Sequence, residues 1–268
     1  MLVEIRTDTR LDVRQLGDQA AEPLVMAGAT AQPFQLWEPL AHALAQAFRV
    51  IGFDYRGVGQ SAGGQGPVSM ATLAEDAVAL LDALEIERAN LLGWSLGSAV
   101  CQEVAIAHPD RVSGLVLWGT WATTDAYQRA LFSALRHPWA TGDFPTALGV
   151  LSLVFSPEFV NAPDAQARMA ALAPAFPQTQ EGMQAVAEQW DADLAHNTAG
   201  RLSAISAPTL VIAGEQDIIT PPRHGQAVAD AIAGARIETL FGPGSSHALG
   251  LERATEFVTL VLKFLAIH

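Results

Sequence analysis

The sequence predicts an α/β protein: a mostly parallel sheet flanked by helices, with one long helical insertion. Three observations carry this reading. Short continuous apolar runs at 23–27, 50–54, 89–93, 112–118 and 208–213 alternate with stretches of helical period. That is the pattern of a parallel sheet covered on both faces. One run ends in Gly93-Trp94-Ser95-Leu96-Gly97 and leads at once into a small-residue helix start, Ser98-Ala99-Val100. A serine on such a strand–turn–helix junction sits on a strained backbone with its hydroxyl presented at the top of the sheet. Finally, nothing between 121 and 202 reads as a buried strand.

The elements follow in order. Residues 2–6 and 11–16 alternate polar and apolar, so they read as an antiparallel pair at a sheet edge. The buried strand 23–27 leads to a small-residue loop, 28–33, and then to helical spacing at Leu36, Trp37, Leu40, Leu44 and Phe48. After strand 50–54 come a turn, 55–61, and a Gly-rich loop, 62–67. Leu73, Ala77, Leu80, Leu81 and Leu84 then mark one face of an amphipathic helix over 70–84. Strand 89–93 precedes the serine turn, whose helix runs to about Ala107 and is closed by His108-Pro109. Strand 112–118 is the sixth, and the insertion begins after it. Within the insertion, helical patterns at 124–136, 144–155, 164–172 and 181–196 are separated by prolines 138, 157, 163, 174 and 177. Such a segment is expected to cap the sheet. Strand 208–213, helix 221–232, strand 236–241 and a closing helix over 253–267 complete the chain. The expected organisation is a core of 1–120 and 203–268 with a cap of 121–202.

Composition narrows the function. Of 268 residues, 50% are hydrophobic and 16% charged, as suits an enzyme core. A net charge of −13 excludes the basic footprint that nucleic acid requires and disfavours anionic membrane surfaces. The expected partner is a neutral or apolar small molecule, while oligomeric state stays open. Cys101 is the one cysteine, which excludes an intrachain disulfide and a cysteine-based metal site. It reads as a small buried hydrophobe. The N-terminus lacks the shape of a signal peptide, and no run approaches the ~20 apolar residues of a membrane helix, so a cytoplasmic protein is expected.

A serine hydroxyl needs a base within hydrogen-bond reach, and the base needs an orienting acid. In an open parallel sheet, reacting groups gather beyond the carboxyl ends of strands. Of seven histidines, only His247 follows a predicted strand downstream of Ser95. His268 is terminal, and His108, His137, His196 and His224 fall on helices or in the cap. Asp217 follows strand 208–213, with Glu215 as its competitor. The order Ser95, Asp217, His247 suits nucleophile, orienting acid and base.

At this point the chain resembles the α/β-hydrolase superfamily, most closely its capped esterase, lactonase and cofactor-free haloperoxidase branch. The matching pieces are Asp54-x-Arg56-Gly57-x-Gly59-x-Ser61, Gly93-Trp94-Ser95-Leu96-Gly97, His108-Pro109-x-Arg111-Val112, Pro208-Thr209-Leu210-Val211-Ile212-Ala213-Gly214-x-x-Asp217, and His247 before Leu251-Glu252. The resemblance implies an eight-stranded α/β-hydrolase sheet and an oxyanion hole of two backbone N–H groups. Leu96 supplies one and the loop after the third strand the other, Ala29 or Thr30. Such donors contribute about 3–4 kcal/mol each to a tetrahedral intermediate. Members carry His-Gly at that loop, where this chain has Ala27-Gly28. Asp54 and Arg56 are implied to stabilise a turn. Thr30, Trp94 and Trp121 are candidates for the substrate pocket, with packing as the competing role for each.

The expected activity is hydrolysis of a small to medium apolar ester or lactone through an acyl-enzyme, with no metal and no organic cofactor. Ser95 argues against dehalogenase and epoxide-hydrolase chemistry, which needs an aspartate at the elbow. Cleavage of C–C bonds, haloperoxidase-type chemistry and a non-hydrolytic receptor or cyclase are the alternatives.

Overall fold

A computed structural model describes residues 1–64 and 66–267. Gln65 of the Gly-rich stretch and the terminal His268 lie outside the described residues. The strands are β1 (Leu2–Arg6), β2 (Thr9–Leu16), β3 (Pro23–Ala27), β4 (Arg49–Phe53), β5 (Ala62–Gly63), β6 (Ala89–Trp94), β7 (Val112–Trp118), β8 (Thr209–Gly214) and β9 (Arg236–Leu240). The continuous path is β1-β2-β4-β3-β6-β7-β8-β9, eight strands as expected, and β5 adds a ninth that pairs with β2. β5 has two small residues and carries no apolar pattern by which a strand is read. Pairing is antiparallel where β2 meets β1, β4 and β5, and parallel from β4 to β9. The alternating segments therefore form the edge and the continuous apolar runs the centre. All six residues of β6 are buried. Each Leu or Val buried in this way contributes about 1.5–3 kcal/mol.

Helices α1 (Glu38–Leu44), α2 (Met70–Ala83), α3 (Leu96–Ala107), α9 (Pro222–Ala231), α10 (Leu249–Glu252) and α11 (Ala254–Leu265) belong to the sheet layers. α2 begins at Ser69, whose side chain accepts the Thr72 N–H and so satisfies one orphan donor of the first turn. Between β7 and β8 lie α4 (Ala126–Thr141), α5 (Phe144–Val150), α6 (Pro157–Val160), α7 (Ala165–Leu172) and α8 (Gln180–Ala195). An isolated bridge between Thr123 and Asn197 closes the base of this insertion.

Two insertion helices differ from expectation. The predicted helix 144–155 tightens after Val150 into a 3-10 turn, Leu151–Val154. The predicted stop at Pro138 is overridden, and α4 runs on to Thr141. Pro138 removes a single bond in the last turn. The stop comes instead at Gly142, at φ 75°. The Gly142 and Asp143 N–H groups bond back to Trp139 and Pro138 carbonyls at 3.2 and 2.9 Å. That is a Schellman ending.

The turn after β4 is held from beneath. Asp54 Oδ1 accepts the Phe34 N–H at 2.6 Å, and burial pushes the Asp54 carboxyl up to about 6. Arg56 donates twice to the Asp76 carboxylate of α2, at 2.7 and 2.6 Å, and Arg6 adds a third bond at 2.7 Å. Both residues are structural, as the resemblance implied. Removing Asp76 strands a buried guanidinium. Asp76→Ala is expected to lower unfolding free energy by about 3–5 kcal/mol, as measured by urea denaturation.

Candidate active site

Ser95 sits between β6 and α3 at φ 54°, ψ −119°, one of the few non-glycine residues at positive φ. Its N–H donates to the Trp118 carbonyl at the end of β7 (2.9 Å), and its own carbonyl accepts from Ser98 N–H and Oγ (2.8 and 2.7 Å). The flanking glycines are required by close approach. A Cβ at Gly97 would lie 1.9 Å from the Ala27 carbonyl oxygen, and one at Gly93 would lie 2.4 Å from the Gly97 oxygen. The turn can only form where these two side chains are absent.

Asp217 and His247 are brought together. Asp217 Oδ2 lies 2.8 Å from His247 Nδ1, and both residues are buried. Asp217 Oδ1 accepts the N–H groups of Ile219 and Thr220, each at 2.8 Å. Thr220 Oγ1 donates to Oδ2 at 2.8 Å and lies 3.2 Å from His247 Nδ1. Sequence reasoning missed Thr220; the signal available was a threonine three residues after the acid, the spacing of a side-chain-to-backbone turn. The two loops interlock, since the Gln216 N–H donates to the Ser245 carbonyl at 2.9 Å. Glu215, the competing acid, accepts the Gly242 N–H at 2.9 Å and is not the histidine's partner.

The imidazole reaches the serine turn by packing. Its ring centroid lies 5.7 Å from that of Trp94, the residue before Ser95. A Cβ on Gly119, just after β7, would fall 2.8 Å from His247 Cε1. Among the described residues, no hydrogen bond joins Ser95 Oγ to His247. Such bonds are often long in unliganded sites and tighten on binding.

The N–H groups of Ala29, Thr30 and Leu96 donate to no protein acceptor among the described residues, although all three residues are buried. Unpaired buried donors are rare and call for an explanation. The Leu96 N–H also opens α3, where the helix dipole favours an anion.

The pocket candidates fare differently. The Thr30 hydroxyl is engaged, donating to Asp193 Oδ2 of α8 at 2.6 Å. Trp94 is fully buried, stacked on Trp118 with centroids 4.4 Å apart. Trp121 Nε1 donates to Thr124 Oγ1 at 3.1 Å, and its ring packs on Phe132 and His196. These last contacts belong to the base of the insertion. An apolar cavity of about 50 Å³ lies between the loop after β3 and the insertion, lined by Gln32, Leu36, Val154, Phe155, Phe176 and Leu251 among others. Two of its lining residues bond to loops of the site: the Gln32 N–H donates to the Ala29 carbonyl and the Val154 carbonyl accepts the Ala248 N–H (3.1 and 2.9 Å). A larger cleft of about 910 Å³ crosses the insertion surface from Trp139 to Glu188 and touches none of the site residues.

The insertion is tied to the site by polar contacts that the sequence did not reveal. Gln189 Oε1 accepts the Ala31 N–H at 2.9 Å, and Asp193 accepts from Thr30. On the histidine side, Glu252 accepts from Ser156 N–H and Oγ (2.9 and 2.5 Å) and from Ser246 Oγ (2.5 Å). At the base, the Gln102 amide donates to Thr120 and Trp121 and accepts from Thr198. Cys101 is buried, and burial pushes its thiol up, which keeps it an inert hydrophobe. Among the described residues, no group of three or more His, Cys, Asp or Glu side chains converges to hold a metal, and no helix is long and apolar enough to cross a membrane.

Comparison with known proteins identifies the family of the chain. A family model described as alpha/beta hydrolase fold matches residues 23–245. A 2-hydroxymuconate semialdehyde hydrolase of Pseudomonas sp. CF600 is 32% identical over 92% of this chain and 88% of its own length. A relative from Azorhizobium caulinodans, whose name suggests carbamate hydrolysis, is 27% identical over 91% of each chain. The crystal structure of the enol-lactonase from Burkholderia xenovorans LB400 superposes with a TM-score of 0.86 at 29% identity, covering 96% of this chain and 97% of that one.

Burial pushes the Asp193 carboxyl from 3.8 up to about 8. Between those values the folded chain keeps a proton that the unfolded chain has lost, so this residue makes stability fall as pH rises. Asp54, raised to about 6, acts in the same direction at lower pH, and His196, lowered to about 4, acts in the opposite direction. Above pH ~6.5 Asp193 is the one of the three still changing. Thermal melting from pH 6.5 to 8 should therefore show the wild type losing stability relative to Asp193→Asn.

Proposed function

The chain belongs to the α/β-hydrolase family, and from that membership we propose that it is a serine hydrolase cleaving a small to medium apolar carboxylic ester or lactone through an acyl-enzyme. Residues 1–120 and 203–268 form the hydrolase core, and 121–202 form the cap. The observation that carries the reading is the His247–Asp217 pair at 2.8 Å, packed over Gly119 and Trp94 beside a serine at positive φ.

Asp217 holds His247 with Nδ1 protonated, which leaves Nε2 free as the base. As Ser95 Oγ attacks the acyl carbon, its proton passes to Nε2. The carbonyl π bond opens, and the negative oxygen is held by the N–H groups of Leu96 and Ala29. Collapse of the tetrahedral intermediate breaks the bond to the leaving oxygen, which takes the proton from the imidazolium. The Ser95 acyl ester remains. His247 then takes a proton from water, whose oxygen attacks the same carbon, and the second collapse returns the proton to Ser95. In a lactone the leaving oxygen stays attached, so a single hydroxy acid results.

The apolar cavity beside the Ala29 loop supports an acyl group with little charge. The likeness to a lactonase structure supports a cyclic ester among the substrates.

Purified protein is expected to turn over members of a p-nitrophenyl ester and lactone panel and to label stoichiometrically with a fluorophosphonate. Ser95→Ala should abolish labelling and lower kcat by about 10⁴- to 10⁶-fold. Protein that neither labels nor turns over any member of the panel would remove the reading. Turnover of a dienoic ketone without ester activity would move it to C–C bond hydrolysis.

A further inference from the structure

The loop after β3 is held by two different parts of the chain. From the core, Tyr55 Oη donates to the Gly28 carbonyl at 3.1 Å, and the Gln32 N–H closes a turn onto the Ala29 carbonyl at 3.1 Å. From the insertion, Asp193 accepts from Thr30 Oγ1 at 2.6 Å and Gln189 accepts from the Ala31 N–H at 2.9 Å. Gln189 and Asp193 are four residues apart, so they share one face of α8. Each is 1% exposed.

The contacts grip the loop where it is least comfortable. Ala31 has φ 68°, in the left-handed region that a residue with a Cβ avoids. A strained residue persists only where its surroundings over-determine it. Here the backbone N–H of that same residue is the group that Gln189 binds.

Each of these two side chains is only partly satisfied. Gln189 Nε2 and Asp193 Oδ1 are buried without a partner among the described residues. Apolar residues of the same shape would avoid that cost but would leave the Thr30 hydroxyl and the Ala31 N–H unpaired. What the pair achieves is a fixed loop whose Ala29 N–H is left unpaired.

We propose that Gln189 and Asp193 of the cap are positioning residues for the oxyanion loop: they hold Thr30 and Ala31 so that the Ala29 N–H stays directed at the developing oxyanion over Ser95. The catalytic half of this statement rests on the serine-hydrolase reading; the loop half does not.

The test pairs two readouts on full-length protein: hydrogen exchange of the peptide spanning 27–33, followed by mass spectrometry, and steady-state kinetics on p-nitrophenyl butyrate. Asp193→Leu and Gln189→Met remove the acceptors while keeping volume. Both should speed exchange in the loop and lower kcat by about 10- to 100-fold with KM within about threefold. Asp193→Asn keeps an acceptor for Thr30 and should stay within about threefold of wild type in both readouts. Folded Leu and Met variants with wild-type exchange and kcat would overturn the proposal. So would a loss confined to KM, or an Asn variant as impaired as the Leu variant. If Asp193→Leu does not fold, Gln189→Met decides. A wild type inactive on every ester counts against the hydrolase reading alone, and the exchange measurement still decides whether α8 fixes the loop.

Discussion

The crossing of β3, β6 and α3 at Gly93 and Gly97 governs the carboxyl edge of the sheet. With a Gly97 Cβ only 1.9 Å from the Ala27 oxygen, no side chain fits there, and α3 lies directly on the end of β3. That approach lets the chain turn within one residue and places Ser95 at φ 54°. It also sets the first N–H groups of α3 beside the loop that leaves β3. The serine, the helix terminus and the loop donors are thus brought together by one steric condition. Their proximity requires no attractive interaction among them.

A second principle operates around the candidate site: polar residues tie the insertion to the loops that surround it. Glu252 joins Ser156 of the insertion to Ser246, the neighbour of His247. Gln102 binds both chain crossings at the insertion's base. Gln189 and Asp193 bind the Ala29 loop. The bonds of Gln102, Gln189 and Asp193 are buried and join segments far apart in sequence, and each leaves a costly unpaired group if broken; those of Glu252 are half-buried. Apolar packing alone would allow the insertion to slide; the directional bonds specify one seat for it.

Much of the sheet was legible because its determinants are local. Continuous apolar runs marked the central strands, alternation marked β1 and β2, and turn residues marked their ends. Asp217 and His247 were legible for a topological reason: reacting groups collect after strands, and few candidates follow one. What escaped the sequence depends on partners distant along the chain. The Thr30–Asp193 bond spans 163 residues, and nothing near either residue announces the other. Thr30 was therefore open between a pocket and a packing role, and the bond of its hydroxyl to α8 could not be read. Trp94 and Trp121 were ambiguous for the same reason, since an aromatic beside a strand end packs inward or faces a cavity according to what covers it. The α4 boundary was misjudged at Pro138 because a proline in the final turn removes one bond, whereas Gly142 permits the left-handed residue that ends the helix.

The bond from Ala31 to Gln189 has a consequence for how such a protein can diversify. An insertion chosen for what it admits is commonly thought of as a separable module, exchangeable between related cores. Here the acceptors for two donors of the core loop are lodged in the module itself. A transplanted insertion lacking a carboxyl and an amide at those two positions of its last helix would leave Thr30 and Ala31 unpaired in the interior. A recombinant that takes the core without those two acceptors therefore starts from a damaged interior.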